Sequence, residues 1–380
     1  MSDDPTIGAI EETTRSFIEG VKWGSRQPEA DQRHLESLLL RSFRAQCATI
    51  PPYGAYVRHL GLDPDRVADW HQIPPVPASA FKSHDLSAAP PEVTGVPGAP
   101  GVVFETSGTS VSRPGRVRLA SPRLYEVSLR RGFERHLLPD GARLRAVVFG
   151  PPRLDAPRSS LWFMANRVMA AFAKDATWAL LGGEPRWDQV DAALARAEAA
   201  EEPLLLFGTT LLYMAYFERL AAEGRSFRLA PGSRAMDTGG AKGQREEFSR
   251  VEVAAAFARH LGILPTHLVN EYGMTELGSQ FYDDRLVAAH ERREPRPGWR
   301  IPPWVRTRVL DPETMEERRD GERGLLVHYD LANLEIPLAI QTEDIGVRVD
   351  DHLILEGRLR GAEARGCSLP YERFLAREEA

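Results

Sequence analysis

Cysteine is scarce. Cys47 and Cys367 alone, in 380 residues, cannot form a disulfide scaffold and point to a reducing, cytoplasmic setting. No apolar run has the length of a membrane span, and Met1 to Glu19 is too acidic and polar for a signal peptide. Positive charge is not in excess. A net charge of −6 lacks the basic footprint of a nucleic-acid binder. The sequence contains no HExxH, no CxxC, no GxSxG elbow and no post-strand GxGxxG, which removes the main support for metalloprotease, thioredoxin-like, serine-hydrolase and dinucleotide-binding readings. There is no internal repeat, and no lysine follows Lys242. What remains is ordinary globular composition, 42% hydrophobic and 27% charged, with length for one large domain and an appendage or for two domains.

Periodicity predicts an α/β protein. Asp31 to Leu60 reads as helix on the period of Leu35, Leu38, Leu39 and Phe43 until Pro51-Pro52 ends it. A stiff Pro-rich stretch, Ile73 to Lys82, and a Pro/Gly linker, Ala88 to Gly101, follow. Helices are then expected over Leu124–Leu137, Asp188–Glu201 (with Asp188 as N-cap), Thr210–Leu220 and Gln244–Leu261. They alternate with strands over Leu144–Phe149, Leu204–Phe207 and Thr266–Asn270. That alternation implies a largely parallel sheet covered on both faces. From Trp304 the texture becomes antiparallel, with five short strands expected at Val305–Leu310, Gly324–Tyr329, Ile336–Gln341, Ile345–Val349 and His352–Leu355.

Five stretches carry candidate chemistry. Thr106-Ser107-Gly108-Thr109-Ser110, continuing to Arg113 and Arg116, offers hydroxyls, glycines and fixed positive charge after an apolar strand. This suits a polyphosphate, and equally a solvated turn; it is not a Walker A loop. Thr238-Gly239-Gly240-Ala241-Lys242 allows close backbone approach beside a point charge, or is a plain loop. Asn270-Glu271-Tyr272-Gly273-Met274-Thr275-Glu276 supplies a flat ring at Tyr272, a hydroxyl at Thr275 and at Glu276 a hard carboxylate suited to Mg²⁺, or is a strand end before a capped helix. Asp344, within Thr342 to Gly346, could take two sugar hydroxyls or close a turn between strands, and Arg358 lies one strand later. Cys367 sits between glycine and serine, with Arg360, Arg365 and Arg373 nearby in sequence. Cations lower a thiol pKa, so this cysteine is either a reactive thiolate or an idle surface thiol.

The order of these pieces resembles the adenylate-forming superfamily of acyl-CoA synthetases, nonribosomal-peptide adenylation domains and luciferases. It is more closely similar to the LuxE family of acyl-protein synthetases. The resemblance rests on Ile73–Lys82, Thr106–Ser110, Ile301-Pro302-Pro303-Trp304, Leu310-Asp311-Pro312 with Asp320-Gly321, Thr342–Gly346 and Gly366-Cys367-Ser368-Leu369. It implies a large adenylate-forming domain over 1–355, with a helical part over 1–100 and an antiparallel β part over about 304–355, and a short segment over 356–380 bearing the acceptor cysteine. It further implies ATP and Mg²⁺ as cofactors, a fatty acid as substrate and an acyl reductase as partner. Thr106, Ser107, Gly108, Thr109 and Ser110 would hold phosphates. Gly239 and Gly240 would border the adenine, Tyr272 and Gly273 would flank it, and Thr275 would touch the α-phosphate. Glu276 would bind the metal, Asp344 and Arg358 would meet the ribose, and Cys367 would accept the acyl group.

Two departures matter. The superfamily's phosphate-loop lysine is replaced here by Arg113 or Arg116, and the usual C-terminal catalytic lysine has no counterpart. The adenylation step would then rest on Lys242, the arginines and the metal. Trp162, Phe163, Phe207, Leu211, Tyr213 and Phe281 are candidate walls for an acyl pocket. The competing readings are an acyl- or aryl-CoA ligase, an adenylating enzyme without autoacylation, and a non-catalytic acid- or nucleotide-binding homologue.

Overall fold

The computed structural model describes residues 7–24, 27–95, 100–106, 114–239 and 248–359. They divide into two compact units, one comprising 129–272 with 281–299, the other the remainder.

The 129–299 unit is built on a parallel sheet. Ala176–Trp178, Arg145–Phe149, Leu204–Thr209, Arg234–Thr238 and Leu268–Tyr272 lie side by side in that order, and Phe281–Tyr282 pairs antiparallel to the last. Their near-continuous apolar runs are what a sheet covered on both faces requires. Leu204–Thr209 illustrates the alternation. Leu204 and Leu206 enter a cluster with Val190 and Leu194 of Trp187–Ala199, Tyr213 and Phe217 of Thr210–Ala222, and Phe257 of Arg250–Leu261. Phe207, one register out, meets Phe133 and Trp162 at 6.3 and 6.4 Å between ring centroids.

Several boundaries differ from the sequence expectation. The Trp187–Ala199 helix has Arg186 at its N-cap, so Asp188 falls within the first turn and caps nothing. The helix expected from Gln244 begins at Arg250. Ser249 accepts from the Glu252 amide and Glu252 reaches back to Ser249, a capping box that fixes the start there; residues 244–247 lie outside the described residues. The strand expected from Thr266 starts at Leu268, after a 3-10 turn over Pro265–His267.

Close packing makes Gly150 a sensitive position. A Cβ built there would lie 1.9 Å from the Trp162 ring. Gly150→Ala is therefore expected to destabilise this unit by about 2 kcal/mol through overpacking, read as a lower urea midpoint at unchanged slope.

In the other unit, Glu29–Thr49 and Pro51–His59 are consecutive helices. Pro51 occupies the first position of the second, where its missing N–H is no loss, so the proline pair that ends one helix begins the next. Val305–Leu310, Arg323–Asp330, Ala339–Val349 and His352–Arg358 form an antiparallel sheet, with Val76–Pro77 added parallel to the third. Two expected strands, Ile336–Gln341 and Ile345–Val349, prove to be parts of the single 11-residue strand Ala339–Val349. Thr342 to Gly346 is thus strand interior, not a turn, and the pairing register slips at Ile345/Gly346, a β-bulge that twists the strand next to Asp344.

The buried Gln46 side chain fastens the turn before that strand. Its amide N–H donates to the carbonyls of Asn333 and Ile336 at 2.8 and 2.7 Å, and its oxygen accepts from the Leu338 amide at 3.0 Å. Val102–Glu105 and Arg116–Leu119 form a separate antiparallel hairpin. No helix among the described residues is long and apolar enough to cross a membrane.

Candidate functional site

Open parallel sheets place ligands beyond the carboxyl ends of their strands. In the 129–299 unit two neighbouring strands end at candidate residues. Arg234–Thr238 runs into Gly239, whose φ of 81° lies in the region that favours glycine. Leu268–Tyr272 ends on the half-buried Tyr272, whose ring lies 5.5 Å from Phe281 and 6.1 Å from Trp299. The two strand ends are cross-linked by buried polar groups. Thr238 donates its hydroxyl to the Glu271 carboxylate. Asn270 donates to the Asp237 carboxylate at 3.0 Å and accepts from the Trp299 indole at 2.9 Å and the Arg250 guanidinium at 3.1 Å. Burial pushes the Asp237 carboxyl up to about 6, against the hydrogen bonds from Thr210 and Asn270, which favour its charge. Asp283 is likewise raised by burial, opposed by Arg250 and Arg285.

In the other unit, Gly273 to Gln280 carries Thr275 and the buried Glu276. The run is held from behind. Asn333 donates to the Glu276 carbonyl at 2.9 Å and accepts from the Gly278 amide at 2.8 Å. Ser279 donates to Asp330 at 2.7 Å and accepts from the Trp304 indole at 2.9 Å. Asp330 is fully buried, and burial raises its carboxyl to about 6. These bonds engage main chain and scaffold. Among the described residues no three His, Cys, Asp or Glu side chains are grouped to hold a metal, so Glu276 would act as a single carboxylate. Mg²⁺ commonly takes one or two carboxylates plus phosphate oxygens, and a hard, buried carboxylate fits that role.

Asp344 and Arg358 face each other across the last two strands, the guanidinium Nε donating to the carboxylate at 2.7 Å. Thr106 closes the base of the hairpin loop: its amide donates to the Gly115 carbonyl and its hydroxyl accepts from the Gly115 amide, both at 2.9 Å. The loop therefore leaves the two-stranded hairpin instead of a strand of the parallel sheet. Arg116 pairs with Glu105 at 3.3 Å across that base. Ser107, Gly108, Thr109, Ser110, Arg113, Gly240, Lys242 and Cys367 lie outside the described residues.

The candidate acyl walls separate. Trp162 and Phe207 are neighbours, and Phe281 meets Tyr272. Leu211 is exposed, whereas Tyr213 is buried in the helix-covered core with its hydroxyl donating to the Met236 carbonyl, so it serves packing. Sequence reasoning missed Gln46, Asp330 and Asn333, and gave no role to Asn270 and Asp237, which lie within or beside its candidate stretches. The available signal was polarity in apolar company: Gln46 lies between Phe43 and Cys47 on the apolar stripe of its helix, and Asn333 lies within Leu331-Ala332-Asn333-Leu334.

Residues 25–373 match the family model described as acyl-protein synthetase, LuxE. A long-chain-fatty-acid–luciferin-component ligase of Vibrio harveyi is 24% identical over 357 residues, 89% of this chain and 88% of the relative. The corresponding ligase of Aliivibrio fischeri is 37% identical over 76 residues, 20% of this chain, and that match spans 18% of the relative's length. Among solved structures, 2-hydroxyisobutyryl-CoA ligase in complex with 2-HIB-AMP superposes with a TM-score of 0.61 at 14% identity, covering 92% of this chain and 78% of that one. At that identity the likeness is one of fold.

Proposed function

The chain belongs to the LuxE family of acyl-protein synthetases, and from that membership we propose that it activates a long-chain fatty acid with ATP as acyl-AMP and then carries the acyl group as a thioester on Cys367. The observation that carries the reading is the run Tyr272 to Glu276, which continues a parallel strand at its carboxyl end and keeps a buried carboxylate on a pinned backbone.

In this reading Thr106 to Ser110 hold the β- and γ-phosphates, Gly239, Gly240, Tyr272 and Gly273 border the adenine, Thr275 meets the α-phosphate, and Asp344 with Arg358 takes the ribose hydroxyls. Lys242 and Arg113 supply positive charge for the developing negative charge on the α-phosphate. Mg²⁺ held by Glu276 would neutralise phosphate charge.

A free carboxylate repels nucleophiles, so it must be given a leaving group. One carboxylate oxygen of the acid attacks the α-phosphorus, the α–β phosphoanhydride bond breaks and pyrophosphate departs. The Cys367 thiolate then attacks the acyl carbonyl, and the bond to AMP breaks. A thioester is reactive enough for onward transfer, which suits delivery to a partner acyl reductase.

The first step is tested by ATP–pyrophosphate exchange across a panel of acids. Exchange is expected with fatty acids and to depend on chain length. Nucleotide binding without exchange for any acid would reject the activation step and favour a binding protein that retains the fold.

A further inference from the structure

The buried Asp237 lies two residues before Gly239, which the preceding reading assigns to the nucleotide. Its Oδ1 accepts from the Thr210 hydroxyl at 2.7 Å, and the same hydroxyl lies 2.5 Å from the Gly239 carbonyl oxygen. A hydroxyl has one proton and cannot serve both acceptors at once. On the other side Asp237 Oδ2 accepts from Asn270 Nδ2 at 3.0 Å. The orientation of that amide is fixed by chemistry, because Asn270 Oδ1 faces two groups that can only donate, Arg250 and the Trp299 indole.

The geometry thus permits two arrangements. With Asp237 ionised, the Thr210 proton points to the carboxylate and the Gly239 carbonyl goes without it. With Asp237 protonated on Oδ1, its O–H donates to Thr210 Oγ, and the Thr210 proton passes to the Gly239 carbonyl. No atom need move far.

We propose that Asp237 and Thr210 are positioning residues forming a hydroxyl relay that pins the Gly239 carbonyl when Asp237 carries a proton. The inference rests on the nucleotide reading of Gly239. The charged and titratable groups around the relay are Arg250 from the Arg250–Leu261 helix, Asp283 following the Phe281–Tyr282 strand, Glu271 on the neighbouring strand and Tyr213, one turn beyond Thr210. Arg250 opposes the protonation of Asp237 and Asp283 favours it, with burial the largest influence. A side chain at Gly239 would be strained on backbone grounds alone: a Cβ would meet nothing within 4 Å, yet φ is 81°.

Asp237→Asn imitates the protonated state. Its oxygen can accept from Asn270 while its N–H₂ donates to Thr210, which leaves the threonine proton to Gly239 at every pH. The experiment is calorimetric titration of Mg-ATP into wild type, D237N, T210V and T210S between pH 5 and pH 8. The titration of ATP itself is common to all four. The wild-type Kd should equal that of D237N at pH 5 and exceed it about fivefold at pH 8, the worth of one net hydrogen bond. T210V should bind weakly throughout with no extra pH dependence, and T210S should restore it.

Melting supplies a second readout. A carboxyl raised to about 6 from 3.8 favours the fold fully below the lower value and loses that contribution as pH rises through about 6. D237N should therefore gain in Tm over wild type at pH 8 relative to pH 5. Parallel Kd profiles for wild type and D237N, with T210V following them, would overturn the relay. Absence of ATP binding by the wild type at all pH values would overturn the nucleotide reading and the relay together. Binding that shows the expected profiles without pyrophosphate exchange would support the relay and remove only the activation step.

Discussion

Cys367→Ser is expected to abolish acyl label that neutral hydroxylamine releases, while ATP–pyrophosphate exchange persists. The two steps use different atoms. Exchange needs only the acid, the phosphates and the charges around them, whereas labelling needs a nucleophile that attacks the acyl-adenylate. A serine hydroxyl is a weak nucleophile at neutral pH without an adjacent base, and an oxygen ester resists neutral hydroxylamine, so residual transfer would not imitate the thioester. The measurement is incubation with Mg-ATP and labelled fatty acids of several lengths, followed by denaturation and hydroxylamine release. Label retained on C367S in the hydroxylamine-labile form would exclude Cys367 as acceptor. Label appearing on added CoA, and none on the wild-type protein, would make the chain an acyl-CoA ligase.

Replacing Glu276 by Gln should lower the exchange rate by about two to three orders of magnitude, the usual cost of removing one group that stabilises transition-state charge. The substitution preserves shape, and the hydrogen bonds that Asn333 donates to the Glu276 carbonyl and accepts from the Gly278 amide fall on the main chain, so the turn should keep its conformation. The readouts are the exchange rate and the Mg²⁺ concentration that gives half of it. A lower rate with a higher Mg²⁺ requirement is expected. An unchanged Mg²⁺ requirement with a lower Tm would assign Glu276 to the scaffold instead.

Three of the five parallel strands were legible because short apolar runs such as Leu-Arg-Ala-Val-Val-Phe and Leu-Leu-Leu-Phe, bounded by Gly and Pro, announce themselves; Ala176–Trp178, only three residues long, and Arg234–Thr238, with charged Arg234 and Asp237 in it, do not. The boundaries were less legible. Ser249-x-x-Glu252 stops its helix where apolar periodicity alone would extend it toward Gln244, because capping bonds decide an end that hydrophobicity does not. Asp344 read as a sugar ligand or a turn residue, with Arg358 one strand later; that the two face each other across paired strands follows from the strand register, which local sequence does not give. Tyr272 was legible at a strand end because an apolar run precedes it, whereas the glycine pair marked Gly239 only as a place of close backbone approach and left the strand before it unread. The supporting roles of Asp237, Asn270, Asp330 and Asn333 were not legible, since they arise only when distant segments meet.

Gln46 has a bearing on how the chain is made. Its amide group completes bonds with residues 287 to 292 positions further on. Loop closure of that span is costly in entropy and slow. While the ribosome is still translating the intervening stretch, this helix emerges with a polar group on its sticky side and nothing to receive it. Late docking of the Asn333–Leu338 turn would then be the event that locks the Glu29–Thr49 helix in place, so arrested nascent chains that stop before Asn333 should present that helix to protease or chaperone.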